Sequence, residues 1–194
     1  NLYITKFVIT MSGRHYDVWF FKRKRKDKIE KSVDAFNKLW EMDIHDIWSL
    51  KDPIDFVIAM YRWICEKCAY GDNMDALSDA ERVFYITQLC EAEVNNGGFS
   101  QFFFNSSGNF SSQLVHAFTE IGAMKTAEIC KTALAAFGKE LPADLDERRQ
   151  VLDELESEEV VKILEECDNK FYDYEDDLLS LNYAYIQKNK DSFS

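Results

Sequence analysis

The segment from Glu91 to Asn109, EAEVNNGGFSQFFFNSSGN, contains two adjacent glycines, four phenylalanines and a run of small polar residues between two long helical patterns. A Gly-Gly pair tolerates positive φ angles and the close approach of other backbone. The phenylalanines lie at helical spacing and carry more apolar area than a solvent-exposed loop retains. The segment therefore predicts the end of one helix, then a short buried helix, and then a turn at residues 105–109.

The same segment allows two interpretations of its polar residues. Glycine and asparagine are the residues that a tight helix-to-helix corner requires, which favours a structural role. The alternative is a small-ligand pocket beneath the phenylalanines, in which amide and hydroxyl groups contact the ligand. The residues concerned are Asn95, Asn96, Gly97, Gly98, Phe99, Ser100, Gln101, Asn105 and Gly108.

Helical patterns precede this corner. Ser78-Asp-Ala-Glu81 has the form of a capping box, which places Ser78 at the start of the helix that runs into the corner. Further upstream, Asp52 before Pro53 is a helix start signal, and the apolar residues that follow trace one face as far as Cys68. We expect that upstream helix to be central to the fold.

Helical patterns also follow the corner. Two short segments with apolar residues at helical spacing end at Gly122 and Gly138. Beyond a break near Ser157, apolar residues recur every three or four positions from Val160 to Tyr185. This stripe predicts one continuous helix, the longest of the chain, with acidic residues on its opposite side.

The N-terminal part has a different pattern. Apolar residues alternate between Tyr3 and Phe21 around Ser12-Gly13, which is typical of a β-hairpin, and a basic run follows at residues 22–28. Helical periodicity begins near Asp27. We therefore predict a β-hairpin and basic connector over residues 1–26, followed by a compact all-α acidic domain of seven or eight helices over residues 27–194.

Composition limits the class of protein. With 194 residues and 46% hydrophobic content, the chain can bury a sizeable core as one domain. Its net charge of −12 argues against a nucleic-acid-binding protein and favours a basic partner, or simply solubility. The charge is uneven, because residues 1–31 carry +6 and the remainder therefore carries −18.

Cysteine usage and hydropathy bear on the compartment. The five cysteines lie at apolar positions of helical patterns, which indicates reduced thiols inside a cytoplasmic protein. Apolar runs long enough to span a membrane are absent from the sequence. We therefore expect a cytoplasmic protein without a membrane partner.

Motifs for catalysis or metal binding are weak. Cys65 and Cys68 have the spacing of half a zinc site, but they lie inside a helical pattern and lack a second pair. His15, His45 and His116 are scattered and belong to none of the common catalytic motifs. The sequence therefore predicts a protein that is not an enzyme and has no metal or cofactor. An uncharacterised hydrolase that uses paired carboxylates is an alternative with less support.

The segment from Glu140 to Asp177 has an unusual density of negative charge. It contains sixteen Asp and Glu residues against four Arg and Lys residues, a net charge of −12. On helices this is one acid per roughly 3.6 Å of rise, close to the roughly 3.4 Å per phosphate of one DNA strand. A charge run is also usual on a solvated helix face. The acids chosen as partner-binding candidates, by predicted exposure, are Glu154, Glu158, Glu165, Glu166, Asp173, Asp176 and Asp177.

The motifs of the corner also carry a resemblance. The run AEVNNGGFSQFFFNSSGNF, continued by FTEIGAMKTAEICKTAL, resembles the DMP-type bacterial DNA-mimic family of small acidic all-helical proteins. We extend the resemblance over roughly Asp52 to Phe137, while the first fifty residues have no counterpart. It implies a homodimer that occupies the DNA-binding surface of a basic DNA-binding protein or transcription factor and does not contact nucleic acid directly.

A second function remains open from the sequence. In that alternative the chain is a small-ligand-binding or immunity-type module that uses the Asn95–Asn109 corner, and its acids serve only solubility. The basic N-terminal run counts against simple mimicry, because it would repel a basic partner or neutralise part of the acidic surface.

Overall fold

The computed structural model describes residues 38–194 and the backbone of residues 3–11 and 14–22. Residues 38–40 are helical, and eight α-helices follow within residues 38–194. Their bounds are α1 Ile44–Ser49, α2 Pro53–Lys67, α3 Asp79–Phe104, α4 Leu114–Glu120, α5 Met124–Ala135, α6 Leu145–Leu155, α7 Glu158–Tyr172 and α8 Leu178–Lys188. This confirms an all-helical architecture for residues 38–194 of the predicted domain.

Two strands lie near the N-terminus. Strands β1 (Tyr3–Met11) and β2 (Arg14–Lys22) pair antiparallel, with Tyr3 opposite Lys22. The turn at Ser12-Gly13, the basic run after Lys22 and the start of the first helical pattern lie outside the described residues. The role of this N-terminal part therefore stays a prediction.

Helix α3 is the centre of the domain, rather than α2 as the sequence pattern suggested. It contacts helices α2, α4, α6, α7 and α8, and it is the longest helix of the described chain. The predicted capping box is present, because Ser78 Oγ accepts from Glu81 N–H and the Glu81 carboxylate accepts from Ser78 N–H. The predicted start of α2 is also confirmed, with the Asp52 carboxylate accepting from the Ile54 N–H.

The Gly-Gly pair breaks the axis of α3, as predicted. Gly98 has φ 76° and ψ −178°, a region that only glycine adopts without strain. Gly97, the other member of the pair, has φ −160°, an extended value open to any residue. The conformational need for glycine therefore lies at Gly98 alone.

The predicted long C-terminal helix is wrong. The apolar stripe from Val160 to Tyr185 is divided between α7 and α8, and Tyr174 takes a positive φ of 47° in the turn between them. Periodicity concealed the break because apolar residues continue at intervals of three and four on both sides of the turn. The acidic residues of this region consequently belong to two helices and a turn.

The core is apolar and rich in aromatic side chains. Phe99, Phe102 and Phe103 are fully buried, but Phe104, expected to be buried with them, is half-exposed. The five cysteines are all buried, as predicted. In the part of the chain that the structure describes, every helix is too short or too polar to cross a lipid bilayer.

Candidate functional site

The break in α3 is held by a carboxylate from α7. Oδ1 of Asp168 accepts a hydrogen bond of 2.7 Å from the N–H of Phe99, the first residue after the glycine pair. The Asp168 carboxylate thus caps the short helix that follows the break. Burial raises the pKa of Asp168, although the Phe99 N–H partly opposes that shift.

Two tyrosines extend this contact along α3. The hydroxyl of Tyr172 donates to the Val94 carbonyl oxygen at 2.8 Å, and that of Tyr174 donates to Oε1 of Glu91 at 3.1 Å. The amide of Asn95 donates both to the Tyr174 hydroxyl, at 2.6 Å, and to the Glu91 carbonyl oxygen, at 2.9 Å. Side chains from α7 and the following turn therefore hold α3 on both sides of its break.

Glu91 has the most perturbed carboxylate in this network. Burial raises its pKa from 4.5 to about 7, and the negative charge of Asp177 adds to the rise. Hydrogen bonds from Tyr174 and from the Gln88 amide, which lies 3.0 Å from Oε2, act in the opposite direction. The carboxyl group therefore titrates near neutral pH inside the helix packing.

Two further amides of the corner bind one carboxylate. Gln101 Nε2 and Asn105 Nδ2 both donate to Oε2 of Glu93, at 2.6 and 3.0 Å. This contact joins the last turn of α3 to the part of the helix before the break. The amides of Asn95, Gln101 and Asn105 are thus all bound within the protein, which favours their structural interpretation over the pocket.

A fully buried arginine stabilises the turn after α3. Arg148 of α6 donates from Nε to the Phe103 carbonyl oxygen and from Nη2 to the Asn105 carbonyl oxygen, each at 2.8 Å. Its Nη2 also donates to Oδ1 of Asn109 at 2.8 Å. Gly108 permits this contact, because a Cβ there would lie 2.5 Å from the Arg148 Nε. Gly108 is therefore required for the close approach of Arg148, whereas the sequence indicated only a turn at this position.

Two surface cavities lie away from the corner. One, of about 280 Å³, lies between α3 and α4 and is lined by Arg82 and His116 among others. Another, of about 170 Å³, lies between α5 and α7. Residues of the predicted Asn95–Asn109 pocket do not line either cavity.

The structure separates the seven acidic candidates into two groups. Six of them are exposed, and the carboxylates of five of these form neither hydrogen bonds nor ion pairs with Lys or Arg within residues 38–194. These five, named here the acidic face, are Glu154, Glu158, Glu165, Glu166 and Asp173.

The other two candidates cap helices. Oδ2 of Asp176 accepts from the N–H and the hydroxyl of Thr126, at 2.8 and 2.9 Å, at the start of α5. The Asp177 carboxylate accepts from the N–H and hydroxyl of Ser180 at the start of α8, and these bonds lower its pKa. Both carboxylates therefore stabilise the fold, whatever else they contact.

The acids of α7 form two rows on its exposed half. One row contains Glu158 and Glu165, which are seven residues apart. The other contains Glu159, Glu166 and Asp173, each seven residues after the one before. Seven residues are about two helical turns, or roughly 10.5 Å of rise, so each row keeps nearly one direction. The helix thus presents two roughly parallel lines of carboxylates to solvent.

A metal centre is not formed by the described residues, since no group of three His, Cys, Asp or Glu side chains among them could hold an ion. Cys65 and Cys68 are both buried, and burial raises the pKa of Cys68. Such thiols are poor nucleophiles and poor metal ligands.

Sequence reasoning missed the residues that hold the corner, namely Asp168, Tyr172, Tyr174, Glu91 and Arg148. Asp168 and Arg148 occur in an acidic helical region, where the sequence pattern predicts that every charged residue lies at the surface. A possible signal for Arg148 was the turn at residues 105–109, whose many carbonyl groups require donors.

The family-model comparison adds a finding to this geometry. The model described as DMP19-like protein matches residues 75–189, which is more than half of the chain. The match includes the whole of α3, the corner and all seven acidic candidates, and so extends further towards the C-terminus than the resemblance of the motifs alone. Comparisons with curated proteins and with solved structures found no match.

Proposed function

Because the chain belongs to the DMP19-like protein family, we propose that it is a non-enzymatic DNA mimic whose acidic face occupies the DNA-binding surface of a basic DNA-binding protein. The partner is of the class of basic transcription factors. The site of action is the cytoplasm, where buried thiols stay reduced. The observation that carries the proposal is the exposure of five carboxylates without a cationic partner in residues 38–194.

The mechanism is electrostatic substitution. Carboxylates fixed on α6 and α7 take the place of phosphates opposite the Lys and Arg side chains of the partner. Complementary charge accelerates association and makes the complex sensitive to salt. Rigidity supports this role, because the contacts of Asp168 and Tyr172 with α3 fix the direction in which the rows on α7 point.

The test combines capture with DNA competition. The immobilised protein is exposed to lysate of its own cells at about 50 mM salt, and bound proteins are eluted with duplex DNA. We expect a basic DNA-binding protein in the eluate, and we expect this chain to displace that protein from a labelled duplex. Binding should weaken steeply between about 50 and 200 mM salt, because exposed charges are then screened over roughly 8 to 10 Å.

A neutral variant identifies the surface. Replacing the five residues of the acidic face with Gln or Asn should abolish displacement of DNA and leave the melting temperature unchanged. The matched control neutralises five exposed acids on other elements, namely Glu41, Asp46, Asp75, Glu120 and Glu128. If both variants lost displacement of DNA equally, the effect would depend on net charge and not on the acidic face. If the first variant still bound the partner, the proposal would be refuted.

A further inference from the structure

Apolar side chains are exposed beside the acidic face. Phe104, Val161 and Tyr172 are 46%, 40% and 46% exposed. Two other large apolar residues, Ile54 and Met124, are 52% and 59% exposed, but they lie on α2 and α5. Large apolar side chains that are exposed near one another in a soluble domain commonly mark an interaction site.

The first three residues follow the line along which α7 packs against α3. Asp168 of α7 contacts Phe99 of α3, and Tyr172, four residues later in α7, contacts Val94, five residues earlier in α3. The two helices therefore run antiparallel here. Val161 lies about 10 Å of helix rise before Asp168, and Phe104 lies about 8 Å after Phe99. Val161 is therefore nearly level with Phe104, and Tyr172 lies roughly 16 Å of rise further along α7, beside Val94. We call Phe104, Val161 and Tyr172 the apolar seam.

Carboxylates border this seam on α7. Glu165 follows Val161 by four residues and precedes Tyr172 by seven, so the three side chains share one side of the helix. Glu158, one turn before Val161, continues the acidic border. The apolar seam therefore has carboxylates beside it on α7 and a single arginine, Arg149, beside it at Phe104.

An arginine fixes the ring of Phe104. The Arg149 guanidinium carbon lies 4.4 Å from the centre of the Phe104 ring, and Arg149 Nε donates to the Phe104 carbonyl oxygen at 3.1 Å. The ring is therefore held from one side while much of its area still faces solvent. An ordered aromatic side chain loses little entropy when a partner binds it.

Building on the proposed function, we propose that the apolar seam is the anchor of the partner interface and receives an apolar or aromatic side chain that lies among the basic residues of the partner. Charge alone gives fast association, whereas a few buried apolar anchors supply most of the affinity of an interface. Charge also argues against a second copy of this chain as the occupant, because Glu158 and Glu165 would then approach the same acids.

The test uses two synthetic helical peptides of equal length and equal positive charge. One contains only Lys and Ala, and in the other a Leu and a Trp replace two Ala residues one turn apart. Fluorescence anisotropy at about 150 mM salt should show at least roughly tenfold tighter binding of the apolar peptide, the order expected of one interface anchor. The double variant Phe104→Ser, Val161→Ser should remove this difference.

The control and the contrary outcomes are specific. The double variant Ile54→Ser, Met124→Ser removes equally exposed apolar residues elsewhere and should preserve the difference between the peptides. If the seam variant unfolds, Val161→Ser alone should still reduce the difference. Equal binding of both peptides by the unaltered protein would overturn the anchor and leave the acidic face intact, whereas binding of neither would overturn both proposals. A dimer that the seam variant dissociates would show that a second copy occupies the seam, and would also overturn the anchor.

Discussion

The carboxylate of Asp168 accepts a hydrogen bond from the N–H of Phe99 and fills the space that a Cβ atom on Gly98 would need. One relationship thus explains why the helix breaks at this point and why glycine stands there. It also joins the two parts of the proposed interface, because α7 carries the acids and α3 carries Phe104.

Gly98→Ala should destabilise the protein by about 3 kcal/mol. The new Cβ would lie 2.3 Å from Oδ2 of Asp168, and the φ of 76° strains any residue with a side chain. Guanidinium unfolding monitored by circular dichroism measures the change.

The matched control is Gly97→Ala. A Cβ at Gly97 would lie 2.3 Å from Gln101 Oε1, which can rotate away, and 3.0 Å from Gln101 Cβ, which must shift by a few tenths of an ångström. The φ of −160° suits alanine. We expect a cost of about 1 kcal/mol or less, from the weakened contact of Gln101 with Glu93. Equal costs at both glycines would contradict our account of the break.

Arg148→Met should cost about 3 kcal/mol or more. Methionine fills much of the volume but leaves the carbonyl oxygens of Phe103 and Asn105 buried without donors. Thermal and denaturant unfolding measure the loss, and Arg149→Met is the control because Arg149 is partly solvated. A control that costs as much as Arg148→Met would show that the buried hydrogen bonds are not what stabilises the turn.

Asp176 and Asp173 should respond differently to replacement. Asp176→Ala removes the cap on Thr126 and should cost about 1 kcal/mol, whereas Asp173→Ala, at an exposed position, should cost less than about 0.5 kcal/mol. Urea midpoints of the two variants make the comparison. If the order were reversed, Asp173 would belong to the structural caps, and the neutral variant of the acidic face would no longer be a clean test.

Local signals were predictable from the sequence, and contacts between distant residues were not. The cap of Ser78 on Glu81 depends on residues three positions apart, so the motif itself predicts the helix start. The contact of Asp168 with Phe99 joins residues 69 positions apart, and neither residue type indicates in the sequence that they will meet. Likewise, Arg148 is indistinguishable in sequence from its partly solvated neighbour Arg149 until the turn that it binds is folded.

The acidic region shows the same limit. Exposure of Glu158, Glu165, Glu166 and Asp173 agrees with their position opposite the apolar stripe, whereas Glu154 precedes the stripe on α6. Asp176 and Asp177 fell into the same pattern only because the stripe was interpreted as one helix. Once α7 and α8 are separate, both residues lie in the turn between them, where a carboxylate is well placed to accept from the N–H groups at a helix start.

Glu91 should make stability depend on pH between about 4.5 and 7. Its pKa in the folded protein is about 7 against a usual 4.5, so within that range the folded state binds more protons than the unfolded state. The free energy of unfolding must then fall as pH rises, and the loss is complete above pH 7. Asp168, whose pKa is also raised, contributes in the same direction.

Glu91→Gln should remove most of this dependence, because glutamine stays neutral throughout and can keep a hydrogen bond within the network of Tyr174 and Gln88. Urea unfolding at pH 5 and pH 8 should therefore give similar free energies for the variant but a lower value at pH 8 for the unaltered protein. Glu154→Gln, at an exposed carboxylate, should keep the unaltered slope. If Glu91→Gln also kept that slope, the proton taken up near neutral pH would reside elsewhere, and Glu91 would be an ordinary ionised carboxylate.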